Sequence, residues 1–262
     1  MRNSYPSDIS CTQFEKIRPL LENVKKKTKP REINLYEVFC GLLFLLKSGC
    51  QWRMLPKDYP KWQTVYSYFK IWKKRNDKGE SVLDIAKKQL VAKTRTDNGR
   101  NKKTSFCIID AQSVKNTDTA EEKGYDAGKK VSGIKRHIAV DTQGLLHAIH
   151  ITTANITDRD GAVLMFNEAK DNLSEVKNVL TDGGYTGDNF AKQVKDIIGA
   201  GVEVVKRNEL HKFVVLPKRW VVERTFAWFE KCRRLWKNCE RKTSTSLQMV
   251  NLAFIALLLK RS

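Results

Sequence analysis

Several features that mark whole classes of protein are missing from the sequence. The six cysteines form no CxxC pair, so we expect neither a zinc ribbon nor a disulfide scaffold and interpret them as reduced thiols. The opening MRNSYPSDIS is polar and lacks the apolar segment of a secretory signal. The longest apolar run near the end, residues 252–259, is shorter than the ~20 residues that cross a bilayer. These absences predict a cytoplasmic protein without a membrane partner.

Acidic residues are scarce relative to basic ones. The 262 residues include 29 Asp and Glu against 49 Lys and Arg, which gives a formal net charge of +20. Such a surplus predicts a polyanionic partner, with nucleic acid first and an anionic membrane surface second. The alternative is a soluble protein that is merely basic. The hydrophobic fraction of 41% supports a sizeable core.

The hydrophobic pattern changes near residues 99–103. Before this point apolar residues recur at helical spacing, and Pro19 is expected to kink or split the first helix. The predicted helices are 12–24, 35–49, 60–75 and 81–95. We therefore predict a small all-α N-terminal domain over residues 1–98.

After residue 104, short β-rich apolar runs alternate with helical segments. The predicted strands are 105–110, 136–140, 145–153, 175–182 and 201–207, and the predicted helices are 158–171, 187–198, 219–238 and 246–259. The order of three strands, helix, strand, helix, strand, helix predicts a mixed α/β sheet with flanking helices. This second domain is expected to cover residues 104–262.

Three carboxylates in the second domain are candidates for chemistry. Asp110 and Asp182 each end a predicted strand, where ligand sites form in open α/β sheets, although either acid could simply terminate its strand or cap the adjoining turn. Glu223 lies opposite the apolar side of helix 219–238. The alternative for Glu223 is an ion pair with Arg219 on a solvated helix face.

Phosphodiester cleavage explains why several acids would be needed. Two divalent ions roughly 3.5–4 Å apart can activate a nucleophile and stabilise the leaving oxygen. Hard ions such as Mg²⁺ or Mn²⁺ take oxygen ligands. In this interpretation Asp110 bridges two ions, and Asp182 and Glu223 each bind one of them.

A series of motifs in the same order as in a known family covers most of the chain. They are GCQWRMLP, PKWQTVY, IIDAQSVK, GIKRHIAVDTQGLLHAIHITTANITDRDGA, VLTDGGYTG and RWVVERTFAWFEKCRRL. With these motifs the sequence resembles DDE-class bacterial insertion-sequence transposases, closest to the insertion-sequence-five family. The resemblance implies a ribonuclease-H-like catalytic fold, dependence on a divalent metal, and a catalytic triad of Asp110, Asp182 and Glu223.

The resemblance also places Arg219 in the family's C-terminal signature, four residues before Glu223. Two positions depart from the fuller signature Tyr-x2-Arg-x3-Glu-x6-Lys of related families. Leu216 stands at the Tyr position and Glu230 at the Lys position, with Lys231 next to it. The departures put the DNA-clamping role of Lys231 in question but not the triad.

Basic residues in both domains are candidates for contacts to DNA phosphates. The candidates are Lys70, Lys73, Lys74, Lys115, Lys135, Arg136, Arg219, Arg224, Lys231 and Arg234. Residues 34–49 and 62–75 are predicted to form a helix-turn-helix-like DNA-binding unit. The alternative is a solvated basic helix that packs on the catalytic domain.

The sequence therefore predicts an enzyme that binds the terminal inverted repeats of its element and catalyses metal-dependent cleavage and strand transfer. It would act on double-stranded DNA as a homodimer or larger assembly, in the bacterial cytoplasm near the nucleoid. The alternatives are a catalytically silent DNA-binding protein derived from a transposase and a metal-dependent nuclease without strand transfer.

Overall fold

The computed structural model describes residues 4–24, 32–205 and 220–261. Two compact units emerge from the contacts within the chain. The helical unit comprises Met1–Leu90, Phe229–Trp236 and Gln248–Ser262, and the sheet unit comprises Val91–Trp228 and Lys237–Leu247. Both units are discontinuous in sequence, and the functional domain boundaries at residues 98 and 104 stay a prediction.

The helices of the described chain follow the predicted periodicity. They are α1 (Cys11–Glu15), α2 (Arg18–Glu22), α3 (Leu35–Ser48), α4 (Trp62–Trp72), α5 (Val82–Asp97), α6 (Asp158–Ala169), α7 (Asp188–Ile198), α8 (Trp220–Glu230) and α9 (Thr243–Arg261). Pro19 lies in the first turn of α2 and separates it from α1, which confirms the predicted split. Asn34 caps α3, since its side chain accepts the Tyr36 amide at 2.9 Å.

Helix α3 forms the centre of the helical unit because apolar residues surround it on nearly every side. Phe39 is fully buried, and its ring lies 5.6 Å from Phe14 and 6.3 Å from Trp72. Helix α9 is, by length and composition alone, long and apolar enough to cross a membrane. Because 67% of its most apolar 18-residue stretch is buried inside the protein, it has the character of a core helix.

The strands form one mixed sheet, as predicted. They are β1 (Phe106–Lys115), β2 (Gly124–Asp126), β3 (Val131–Val140), β4 (Leu146–Thr153), β5 (Asn178–Asp182) and β6 (Gly201–Val205). The order is β2-β3-β1-β5-β6, with β4 also paired to β3. β3 is antiparallel to β1, β2 and β4, whereas β5 is parallel to β1 and to β6. Helices α6 and α7 cover one face of this sheet with residues such as Phe166 and Val194.

Three predicted boundaries are wrong by five residues or more. β3 begins at Val131 rather than at residue 136, because β1 and β2 pair with its first residues. β1 continues five residues beyond Asp110, because β3 pairs with it as far as Lys115. Helix α8 ends at Glu230 rather than at residue 238, because Cys232 adopts an extended backbone before a 3₁₀ turn over Arg233–Leu235. Strand β2 was not predicted. The end of the predicted strand 201–207 and the beginning of the predicted helix 219–238 lie outside the described residues.

Candidate active site

The register of two parallel strands brings Asp110 and Asp182 alongside each other. β1 and β5 pair in register up to Ile108 and Leu180, and two further residues along each strand lead to the two aspartates. Neighbouring strands lie ~4.8 Å apart, and in-register residues point to the same face. Asp182 is the last residue of β5, whereas β1 continues beyond Asp110. The two carboxylates therefore share the edge of the sheet at which β5 ends. We call this edge, with Asp110 and Asp182, the acidic edge.

Local hydrogen bonds fix both aspartates while leaving them half-buried. Asp110 Oδ1 accepts the Ala111 amide at 2.7 Å, and Asp182 Oδ1 accepts the Gly184 amide at 2.9 Å. Asp182 thereby caps the 3₁₀ turn Gly183–Tyr185, so the capping alternative for this residue is realised. Capping engages Oδ1 and leaves the Asp182 side chain half-buried.

Tyr185 lies beside the two aspartates, and sequence reasoning did not identify it. Its ring is buried in the core under α6 and α7. Burial, and then the charges of Asp110, Asp158 and Asp182, raise its pKa well above the usual range. Its buried hydroxyl has no hydrogen-bond partner within the described residues. Because buried polar groups are normally paired, this hydroxyl is an unsatisfied polar group of the interior near Asp110 and Asp182.

Asp158 is a further acid that the sequence indicated only as the beginning of a helix. It is the first residue of α6, after the N-cap Thr157. Its Oδ1 lies 2.8 Å from Lys135 Nζ, and its Oδ2 lies 3.7 Å from Lys129 Nζ. The only signal in the sequence was its place in the capping turn, since the pairing with Lys135 depends on the fold.

The structure contradicts two candidate DNA contacts on β3. Lys135 is buried, and its Nζ contacts Asp158, Asp126 at 3.3 Å and the Ile156 carbonyl at 2.8 Å. Arg136 is 1% exposed, and its Nη1 donates to Gln112 Oε1 at 3.3 Å. Both cations therefore bind protein groups in the interior, Lys135 at the beginning of α6 and Arg136 on β1.

Glu223 is exposed in the first turn of α8, while Val221 and Val222 on the same turn are buried. This agrees with the predicted amphipathic orientation. Over residues 4–24, 32–205 and 220–261, no three His, Cys, Asp or Glu side chains are close enough to bind one metal ion. The triad that includes Glu223 thus stays a prediction. Arg219 lies outside the described residues.

The remaining basic candidates of the C-terminal segment differ in their surroundings. The Arg224 guanidinium lies 4.4 Å from the Trp220 ring and 5.0 Å from the Trp228 ring, and it donates to the Gln143 carbonyl at 2.8 Å. Lys231 is exposed one residue after α8 ends. Arg234 is 7% exposed and donates to the Cys50 carbonyl at 3.1 Å, so it is a core residue of the helical unit and not a free DNA contact.

The basic candidates of α4 and β1 lie at the surface. Lys70, Lys74 and Lys115 are exposed, and Lys73 is half-buried at the C-cap of α4. Lys70 Nζ lies 5.1 Å from the centre of the Tyr66 ring, and Lys73 Nζ lies 5.8 Å from that of Phe69. Such placement keeps the ammonium groups within reach of a polyanion.

The donor set at the acidic edge fits a hard divalent cation. Mg²⁺ commonly binds through one or two carboxylates and keeps several of its waters. Asp110 and Asp182 supply such oxygens, and the Tyr185 hydroxyl, which has no partner in the part of the chain that the structure describes, adds a polar group near them. Two aspartates therefore suffice for one ion, whereas a third carboxylate would have to approach for a second.

Comparison with known proteins agrees with this geometry. Residues 101–259 match the family described as "Transposase DDE domain", and residues 9–77 match "Putative transposase of IS4/5 family". The chain is similar to a "Putative transposase for insertion sequence element IS402" from Burkholderia cepacia, with 30% identity over 119 residues. That stretch covers 42% of this chain and 55% of the relative, so the match spans about half of the relative's length.

The DDE-domain match covers more than half of the chain and includes all strands of the sheet. The mixed sheet with flanking helices is accordingly the ribonuclease-H-like fold of that domain, preceded by a helical N-terminal region. Both expectations from the sequence are thereby confirmed. The chain belongs to the DDE-domain transposases of insertion sequences, of the IS4/5 type.

Proposed function

We propose that the protein is a DNA transposase that binds the terminal inverted repeats of its element and catalyses metal-dependent cleavage and strand transfer. The observation that carries the proposal is that Asp110 and Asp182 each lie two residues beyond the last paired residues of the parallel strands β1 and β5, Ile108 and Leu180, and that the charges of both reach Tyr185. The family match supplies the context in which two such carboxylates carry out chemistry on phosphodiesters.

Asp110 and Asp182 would bind Mg²⁺, or Mn²⁺ in its place. When bound, such an ion lowers the pKa of its water and stabilises negative charge on phosphate oxygens. Glu223 would complete a site for two ions, approaching from the exposed side of α8. No side chain is required as a general base. His137 is accordingly a structural residue of the interior, and burial lowers the pKa of its imidazole to about 3.

Cations at the surface would position DNA relative to the acidic edge. They are the exposed Lys70, Lys74, Lys115 and Lys231 and the half-buried Lys73, with Arg224 and Arg219 as further candidates. Lysine ammonium groups bind phosphates as point charges, and this binding carries little sequence information. Residues 34–49 and 62–75 would act as the helix-turn-helix-like DNA-binding unit of a domain over residues 1–98, ahead of a catalytic domain over 104–262.

Joining of two transposon ends requires that two active sites work together, so we propose a homodimer or larger assembly on DNA. The protein would act in the bacterial cytoplasm, associated with the nucleoid. The net charge of +20 supports binding to the chromosome in general as well as to the element's ends.

The decisive test is Asp110→Asn in the full-length chain with Mg²⁺ and a duplex that carries the element's terminal sequence. We expect cleavage to be abolished and DNA binding to be retained, because the amide keeps the shape but loses the charge that binds the ion. Asp196→Asn is the matched control, since Asp196 is an exposed acid near the end of α7. Undiminished cleavage by Asp110→Asn would refute the assignment.

A target plasmid in the same reaction separates transposition from hydrolysis. A transposase joins the cleaved ends to the plasmid, and the joined product is detected by its size. Cleavage without any joined product would show a nuclease, and binding without cleavage by the wild-type protein would show a silent DNA-binding protein.

A further inference from the structure

An open cleft of about 400 Å³ lies at the end of β1, away from the aspartates. Its walls come from the end of β1, the loop after it, β2 and the beginning of β3. Lys115, Lys123 and Lys130 line it together with Tyr125, Ser132 and Asp118. We call it the lysine cleft. Sequence reasoning indicated only Lys115 in this group.

The charges of the lysine cleft are unbalanced. Lys115, Lys123 and Lys130 are all exposed, and none of them makes a side-chain ion pair or hydrogen bond within the described residues. Asp118 is the one carboxylate among the lining residues. Three ammonium groups against one carboxylate leave a local positive surplus that favours an anion.

Two further acids near the lysine cleft, Asp126 and Glu121, are engaged elsewhere. Asp126 accepts the Ser113 hydroxyl at 2.6 Å and lies 3.3 Å from Lys135 Nζ. These contacts, together with the Lys129 amide, lower its pKa to about 2 although burial opposes the shift. Glu121 pairs with Arg241 at 2.8 Å. Neither acid is therefore available to neutralise the cleft.

The turn that carries Lys130 is fixed by the fold. Asp126 Oδ1 accepts the Lys129 amide at 3.0 Å, which closes the turn before β3. Lys130 has a positive φ of 53°, a backbone conformation that is unfavourable for a residue with a side chain. A glycine would adopt this conformation without strain. A strained lysine in a constrained turn is typical of a position with a functional role.

The polar groups of the lysine cleft suit a phosphodiester. Tyr125 is 56% exposed and pairs in register with Ser132, so two hydroxyls lie beside the lysines as hydrogen-bond donors to phosphate oxygens. The cleft is open to solvent along the sheet edge, which suits a strand that passes through it.

We propose that the lysine cleft binds the phosphate backbone of the DNA strand whose cleavage takes place at the acidic edge. The inference rests on the proposed function and adds a specific positioning subsite to it. Lys115 and Asp110 are five residues apart on the same strand, β1, a distance of roughly 17 Å. With a rise of about 3.4 Å per base along one strand, the cleft contacts the backbone about five base steps from the cleaved bond.

The first test compares two triple variants of equal charge by fluorescence anisotropy with a labelled duplex of the element's terminal sequence. One replaces Lys115, Lys123 and Lys130 by glutamine. The other replaces Lys170, Lys177 and Lys192, which lie on the sheet unit and outside the cleft. We expect the cleft variant to lower the slope of log affinity against log salt by about three and the control to change it little. Equal effects would overturn the proposal.

The second test locates the contact on the DNA. A single neutral methylphosphonate is moved along the cleaved strand, one linkage at a time. We expect the wild-type protein to lose affinity when the neutral linkage lies about five base steps from the cleaved bond. The cleft variant should be insensitive at that position. Loss of affinity at that position in both proteins would contradict a contact by these lysines.

Two single variants separate binding from folding. Lys130→Gly removes the strain of a positive φ, so it should keep or raise the melting temperature while it weakens DNA binding. Asp118→Asn removes the one lining carboxylate and should tighten binding. Tighter DNA binding by Lys130→Gly, or weaker DNA binding by Asp118→Asn, would overturn the proposal. If the wild-type protein does not bind or cut the duplex, the proposed function fails. If the wild-type protein does so and these variants bind DNA with the wild-type affinity, only the inference about the cleft fails.

Discussion

His137 shows how burial determines the chemistry of single residues in this protein. The side chain is 1% exposed, and its Nε2 lies 2.9 Å from the Thr152 hydroxyl. Burial lowers its pKa to about 3, although the charge of Asp158 acts in the opposite direction. The imidazole is therefore neutral in the folded protein at all ordinary pH values, and it is a structural group of the sheet unit.

The depressed pKa of His137 predicts a loss of stability in acid. An unfolded histidine titrates near 6.5, so below this pH the unfolded state binds a proton that the folded state excludes until about pH 3. The free energy of unfolding should thus fall by up to about 1.4 kcal/mol per pH unit in that window. Urea denaturation at several pH values measures this contribution.

The matched variants for this prediction are His137→Gln and His150→Gln. The glutamine at 137 can still contact Thr152 but does not titrate, so it should flatten the pH dependence in this window. His150 is half-buried and lies 3.0 Å from Glu168, and its variant should keep the dependence due to His137. An unchanged slope in His137→Gln would contradict the argument.

Strand β1 connects the proposed chemistry and the proposed DNA contact at the scale of elements. Its first part pairs with β5 and leads to Asp110, and its whole second part pairs with β3 and leads to Lys115. Because a strand is a stiff element with a fixed rise per residue, the separation of these two groups is set by the sheet. The distance between Asp110 and Lys115 is therefore better defined than it would be if the two residues lay on a loop.

Helix α6 packs against β3 through a glycine. A Cβ at Gly161 would lie 2.0 Å from His137 Cε1, far closer than any real contact. Helix propensity alone predicts that Gly161→Ala is stabilising, since alanine is favoured over glycine by about 1 kcal/mol in a helix interior. The overlap predicts the opposite, a destabilisation of about 1–3 kcal/mol, because the buried ring has little room to move.

Thermal denaturation decides between the two effects at Gly161. The control is Gly128→Ala, since a Cβ there meets only Asp126 Oδ1 at 3.5 Å, an ordinary contact distance. We expect the control to melt close to the wild-type protein and Gly161→Ala to melt several degrees lower. A melting temperature of Gly161→Ala at or above that of the wild type would show that α6 can shift away from β3.

For the molecule as a whole, the net charge of +20 predicts how it binds DNA in general. Each lysine or arginine that neutralises a phosphate releases counterions, so the affinity depends steeply on salt. If six or more phosphates are contacted, affinity for any duplex should fall by about 10³-fold or more between 50 and 200 mM salt. A salt titration with a duplex unrelated to the element measures this non-specific term, and near-insensitivity to salt would contradict a phosphate-based mode.

Local signals in the sequence were enough for the helices, most of the strands and the family. The split at Pro19, the cap at Asn34 and the end of β5 at Asp182 depend on a few neighbouring residues. The motifs around Asp110, Asp182 and Glu223 fall within the matched DDE domain. Glu223 was also predicted to face away from the buried side of its helix, because that side is encoded by local periodicity.

Tertiary structure alone decided which charged residues are available and where the strands end. Three basic residues carry the charge expected of DNA contacts but are buried. Lys135 contacts Asp158, Arg136 contacts Gln112, and Arg234 contacts the Cys50 carbonyl. β1 extends beyond Asp110 because β3 pairs with it, and the lysine cleft forms only where β1, β2 and β3 meet. Each of these outcomes depends on contacts between residues far apart in the chain, which periodicity and spacing do not encode.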